Sequence, residues 1–182
     1  MTIRSAAPAD APRLLEIYAW YVERTAVTFE YETPALSDFR ARMKRTMARY
    51  PWLVAEEGGR ILGYAYAGIF KDRAAYDWSC EVTIYLDHEA RGRGLGRALY
   101  GALEAALGEM GMRNLYACIA FAEPEDEYLT QDSPRFHARM GYREAGRFRR
   151  CAWKFDRWYD MIWMEKFIGS HDGNRPPAPA WR

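Results

Sequence analysis

The chain has 182 residues, the length of one domain with a substantial buried core. Its 26 basic and 25 acidic side chains nearly cancel, which argues against bulk-charge attraction to nucleic acid or to an anionic membrane. Aromatic residues reach 15%, with seven Trp and thirteen Tyr, enough rings for an aromatic core and for a pocket or subunit interface as well.

Residues 2–4 read as a short opening strand. Asp10 stands where a helix N-cap is expected, ahead of Leu14, Leu15, Tyr18, Tyr21 and Val22 on one helical face. The run 28–32 (TFEYE) breaks that period, and Ser37 is placed to cap a second, basic helix reaching about Tyr50. Residues 52–56 and 61–70 read as strands joined by the hairpin turn Glu57-Gly58-Gly59-Arg60. The β-branched and aromatic run 80–86 (CEVTIYL) is a further strand. After a glycine-rich turn, apolar residues at 99, 103, 106, 107 and 110 give a helix over 98–110. A strand follows at 114–121, and Ser133 with Pro134 opens a short helix ending at Gly141. Strands near 142–155 and 157–168 close a single domain over 1–168, and residues 169–182 are expected to be a mobile tail. The order β-α-α-β-β-β-α-β-α-β-β is that of a mixed α/β layer protein without internal repeats.

Cys80, Cys118 and Cys151 are an odd number without metal-type spacing, so free thiols and no metal site are expected. No secretory apolar core and no membrane-length apolar stretch is visible, and a cytoplasmic location is expected.

The run Arg91-Gly92-Arg93-Gly94-Leu95-Gly96-Arg97 lies between a strand and a helix. Glycines let the backbone curl so that its N–H groups converge, and the helix N-terminus adds partial positive charge. The arginines suit a diphosphate. The spacing is neither GxGxxG nor a Walker loop, since no Lys-Ser/Thr follows. It is R-x-x-G-x-G, which resembles the acetyl-CoA loop of the GNAT N-acetyltransferases.

Further short runs resemble the phosphinothricin and methionine-sulfoximine branch of that family. They are 25–30 (TAVTFE), 70–73 (FKDR), 75–78 (AYDW), Glu81, 91–100, Phe136-His137 with Gly141-Tyr142, and Lys154 with Trp158-Tyr159-Asp160. The resemblance implies the GNAT fold: a mostly antiparallel central sheet splayed between its middle strands and flanked by helices. It implies acetyl-CoA as cofactor, held by Arg91, Gly92, Arg93, Gly94, Leu95, Gly96 and Arg97, with pantetheine along Ile84, Tyr85 and Leu86 and a contribution from Ser133. It implies a small-molecule amine as partner, an amino acid or amino-acid analogue first, and a homodimer. Peptide, protein or polyamine acceptors, and a non-catalytic acyl-CoA sensor, are the alternatives.

The resemblance implies Glu81, at the family's strand glutamate position, as the general base, acting directly or through water; burial would raise its pKa toward neutrality. The competing reading is a glutamate on the solvent face of an alternating strand. His137 is the expected acid, or a group that only positions the leaving thiolate. Arg73 offers a guanidinium fork to the substrate's acidic end, Phe29 and Tyr31 a pocket wall, and Tyr76 a polar contact. Against these stand a solvated Arg73 and core roles for the rings. The run 123–131 (EPEDEYLTQ) departs from the family's compact loop, with Thr130 near the family's asparagine position. Its charge would favour a cationic acceptor unless it faces solvent, and its composition would suit a loop that orders only with a ligand.

Overall fold

The computed structural model describes residues 1–172, so most of the expected tail lies outside the described residues. Seven strands form one sheet in the order β1-β2-β3-β4-β5-β7-β6. They are β1 (Thr2–Ser5), β2 (Trp52–Glu57), β3 (Arg60–Ile69), β4 (Ser79–Leu86), β5 (Asn114–Phe121), β6 (Arg143–Lys154) and β7 (Arg157–Phe167). Every neighbouring pair is antiparallel except β4 and β5. The helices are α1 (Ala11–Arg24), α2 (Leu36–Met47), α3 (Leu95–Glu109) and α4 (Asp132–Arg139).

Strand alternation sends side chains to two faces. On one face Cys80, Val82, Leu115, Ala117, Ile162 and Met164 pack with Leu99, Leu103 and Leu107 of α3. On the other, Trp52, Val54 and Tyr64 pack with Leu14, Tyr18 and Val22 of α1 and with Phe39 and Met43 of α2. The aromatic excess concentrates on this second face, where Trp52 stacks on Tyr66 with ring centroids 4.1 Å apart.

Several expected boundaries shift. Asp10 is the N-cap residue of α1, as expected, but its carboxylate accepts the Ala7 amide at 2.7 Å and pairs with Arg4, so it makes no capping hydrogen bond to the helix. Ala35, not Ser37, is the N-cap of α2, and Ser37 lies inside the helix. Pro34 presets the chain just before that cap, while Asp38 and Lys44 place opposite charges at the two ends, so no side-chain cap is needed. The helix stops at Met47, short of Tyr50. α3 begins at Leu95, three residues earlier than the apolar period indicates, because Gly94 adopts φ 79° and serves as its N-cap. The β6–β7 connection is a two-residue turn at Phe155 and Asp156, with φ 48° and 54°. That geometry is unfavourable for a phenylalanine. Tyr128 stacks on Phe155 at 4.1 Å and covers it.

Candidate active site

β4 and β5 pair only at Ser79↔Asn114, Cys80↔Leu115 and Glu81↔Tyr116. Beyond Glu81, β4 follows β3 as far as Gly63↔Leu86, and β5 follows β7 as far as Phe121↔Asp160. The sheet therefore opens into a cleft lined by Val82, Thr83, Ile84 and Tyr85 on one wall and by Ala117, Cys118, Ile119 and Ala120 on the other. Backbone groups of β4 that face this gap lack a strand partner, a row of donors and acceptors for a slender polar chain.

At the mouth of the cleft, a cavity of about 310 Å³ is lined by Ile84, Leu86, Arg91, Gly92, Gly96 and Ser133. Tyr21, Val27, Thr130, Asp132, Phe136 and Arg139 complete it, none of them assigned from sequence. Gly92 has φ 76° and Gly94 φ 79°, so both turns of the loop need glycine. Gly96 serves a different end: a Cβ there would meet Phe136 at 3.0 Å, so its absence lets α4 close onto α3. The first turn of α3 directs its unpaired amides out of the loop. Arg91 lies 5.2 Å from the Trp20 ring and 5.5 Å from the Tyr21 ring. Arg93 is instead drawn to Glu57, and Arg97 is exposed. Leu95 is buried in the core, where it anchors the loop. Curled backbone, helix amides, Arg91 and Arg139 fit a diphosphate, and the strand gap beyond fits a thin amide-bearing arm.

Glu81 is half-buried at the last β4–β5 rung, on the face that carries α1 and α2. Its carboxylate makes no hydrogen bond or ion pair with another side chain of the described residues. Burial raises its pKa and Lys71 draws it partly back. A carboxylate that is short of hydrogen-bond partners and already costly to ionise is ready to take a proton.

His137 is 3% exposed. Its Nδ1 lies 2.8 Å from the Ser133 carbonyl oxygen, which can only accept, so Nδ1 carries the hydrogen. Nε2 is then an acceptor and takes the Tyr100 hydroxyl at 2.8 Å. Burial lowers the histidine pKa to about 4, so at neutral pH the ring is uncharged and fully engaged. It fits a positioning group better than a store of an acidic proton. Tyr100, which also lines the cleft, is missed by sequence reading because nothing local distinguishes it from a core residue of α3.

The acceptor-side residues do not converge on one point. Phe29 packs beside Tyr159 at 6.3 Å, whereas Tyr31 is 68% exposed and its hydroxyl donates to the Trp153 carbonyl. Tyr76 is exposed and stands edge-on to Phe70 at 5.9 Å, and Phe70 stacks on Tyr116 at 4.2 Å. Arg73 is exposed, with no side-chain partner among the described residues. Tyr85 turns its ring to the α1 face, 5.0 Å from Tyr18, rather than along α3.

The acidic run 123–131 is folded and largely charge-compensated. Asp126 takes Arg157 at 2.6 Å, the Tyr159 hydroxyl at 2.9 Å and the amides of Tyr128 and Leu129. Glu123 pairs with Arg147 and Glu125 with Arg135. Leu129 is buried, and the Tyr128 carbonyl accepts the Ala26 amide at 3.0 Å. The expected electrostatic bias toward a cationic acceptor is therefore largely offset within the protein.

Residues 3–163 match the acetyltransferase (GNAT) domain family. The phosphinothricin N-acetyltransferase of Streptomyces viridochromogenes is 36% identical over 97% of this chain and 91% of its own length. The L-methionine sulfoximine/L-methionine sulfone acetyltransferase of Salmonella typhimurium is 30% identical over 94% of this chain and 96% of its own. Among solved structures, a GNAT phosphinothricin acetyltransferase from Sinorhizobium meliloti, in complex with acetyl-CoA, superposes with a TM-score of 0.88. It shares 31% identity and covers 97% of this chain and 92% of its own.

Proposed function

Because the chain belongs to the GNAT N-acetyltransferases, which take their acetyl group from acetyl-CoA, we propose that it acetylates the primary amine of an amino acid or amino-acid analogue. Phosphinothricin and methionine sulfoximine, on which the relatives' names centre, are the first acceptors to test. The observation that carries this reading is Glu81: an unpaired, partly buried carboxylate where β4 and β5 part.

Acetyl-CoA, when bound, supplies the acyl carbon and a thiolate leaving group whose thiol pKa is about 8.5. Gly92, Gly94, Arg91 and the α3 amides would hold its diphosphate. The unpaired β4 amides beyond Glu81 are placed to stabilise charge growing on the acyl oxygen. Glu81 removes a proton from the acceptor ammonium, directly or through one water, and frees the nitrogen lone pair for attack. His137, fixed by Ser133 and Tyr100, positions the sulfur end of the cleft.

The test is acetyl-CoA-dependent release of free thiol across phosphinothricin, methionine sulfoximine, methionine sulfone, ordinary amino acids, polyamines and short peptides. Turnover with the amino-acid analogues supports the reading, and turnover only with polyamines or peptides replaces it. In Glu81→Gln, kcat/KM should fall about a hundredfold or more. The wild-type rate should rise with pH through a limb above the ordinary carboxyl range, and the variant should lack that limb. A retained limb removes Glu81 from the base role.

We also propose that the protein pairs with a second copy along the β6–β7 hairpin. Phe148, Trp153 and Trp158 are exposed there, and β6 is the edge strand of the sheet.

A further inference from the structure

Besides the cleft, the sheet face under α1 and α2 holds a cavity of about 250 Å³. Tyr18, Phe39, Trp52, Tyr64, Tyr66 and Tyr85 form its walls and floor, with Arg42, Arg45 and Thr46 of α2 above. Tyr85 also lines the cleft, so the two spaces share a wall. Trp52 is 4% exposed, and its indole Nε1 is buried without a hydrogen-bond partner. An orphaned buried donor is costly, and it is uncommon in a native protein unless something else satisfies it.

The lining itself offers hydroxyl and guanidinium donors, while the nearby Glu30 carboxylate is held by Arg42 and keeps its Oε2 buried without a partner. Burial pushes the phenols of Tyr64, Tyr66 and Tyr85 upward, so they stay as neutral O–H groups at physiological pH. Arg42 is already paired with Glu30 at 2.6 Å. Arg45 has no side-chain partner among the described residues, and it is the uncompensated cation at the rim. Walls of aromatic rings, an orphaned N–H and a free guanidinium call for a ligand with an apolar body and an anionic end.

The register fixes how far that end lies from the chemistry. Trp52 is opposite Tyr66, and Tyr66 is opposite Thr83, two residues along β4 from Glu81 on the same face. Two strand spacings put Trp52 about 10 Å from the β4 row where the amine must react.

We propose that this cavity is an acceptor subsite for an anionic group about 10 Å from the amine, received by Arg45, the Thr46 hydroxyl and Trp52 Nε1. The proposal rests on the acetyltransferase reading above and adds a second acceptor class to the compact amino-acid analogues: elongated amines with an acidic far end. Arg73, which does not line this cavity, is not needed for this contact.

The test uses 8-aminooctanoate and its uncharged twin 8-aminooctanamide, which differ in charge but hardly in length. Calorimetric titration into the protein should give a Kd about tenfold lower for the acid than for the amide. Arg45→Met, at an exposed position that folding does not depend on, should bring the ratio near one. Trp52→Phe, which keeps the ring but removes the donor, should lower it several-fold. Thiol release should show the same preference in kcat/KM. A wild-type Kd ratio near one, or a ratio unchanged in Arg45→Met, overturns the subsite whatever the turnover. A preserved Kd ratio without turnover of any amine overturns the acceptor assignment while leaving the anion site, so the two failures are distinguishable.

Discussion

His137 has a hydrogen on Nδ1 facing a carbonyl and a hydroxyl facing Nε2, so protonating it means breaking the Tyr100 bond inside a buried pocket. Its pKa of about 4 lies below the ordinary 6.5, so between those values the unfolded chain binds the proton and the folded chain does not. Stability is therefore full above pH 6.5 and falls as pH drops toward 4, by on the order of 3 kcal/mol from this residue. Urea denaturation at pH 7 and pH 4.5 measures this directly. His137→Gln should be weaker than wild type at pH 7 but lose less between the two; an equal loss would mean that the ring titrates freely. At this scale the sequence exposed residue types but not their partners. Glu81 and His137 were visible because they fall on positions of the family's motifs, whereas Tyr100 looked like any helix-core aromatic. The acidic end of an acceptor pointed by chemistry to Arg73, yet Arg45 and the Trp52 indole gather only when α2 folds over β2.

The segment between α1 and α2 is fastened at several places. Lys154 is buried, and its Nζ donates to the Val22 carbonyl at 2.7 Å and to the Thr28 carbonyl at 2.8 Å. The Tyr18 hydroxyl bonds Thr28, Arg42 pairs with Glu30, and the Ala26 amide reaches the insertion. Burial lowers the Lys154 pKa to about 8, which still leaves it mostly charged at neutral pH, at the C-terminal end of α1 where a cation is favoured. Lys154→Met strands two buried carbonyls and should cost about 2 kcal/mol or more in denaturant melts. With Phe29 as the proposed pocket wall, it should also raise KM for the amine more than KM for acetyl-CoA; equal changes would reduce Lys154 to a purely structural strut. The elements were legible where periodicity is strong, as in β3, β4 and α3. Their ends were less so, because the start of α3 depends on a positive φ at Gly94 and that of α2 on backbone geometry at Ala35. The pairing of the acidic run with Arg135, Arg147 and Arg157 could not be seen in one dimension, since those partners come from α4, β6 and β7.

Across the whole molecule, the exposed rings of Phe148, Trp153 and Trp158 sit on the edge strand β6 and its neighbour β7. Sedimentation equilibrium should report a dimer, and Trp158→Glu should shift it to monomer; a wild-type monomer at all concentrations would assign those rings another purpose. The mixed sheet, its helices and its glycine loop were readable from chain order and spacing, together with the family likeness of the short motifs. The second cavity was not, because it arises only where three strands and two helices meet. The three-rung seam between β4 and β5 has one more consequence. It divides the sheet into two ribbons, which the core beside α3 joins on one face and the Lys154 bonds to Val22 and Thr28 join on the other. A guest lying in the gap would replace the missing rungs and tie the ribbons together, so folding and cofactor occupancy draw on the same hydrogen bonds. The protein's resistance to unfolding should then rise with the logarithm of cofactor concentration, making the catalytic opening also the place where the cell's acetyl-CoA supply is felt as mechanical firmness.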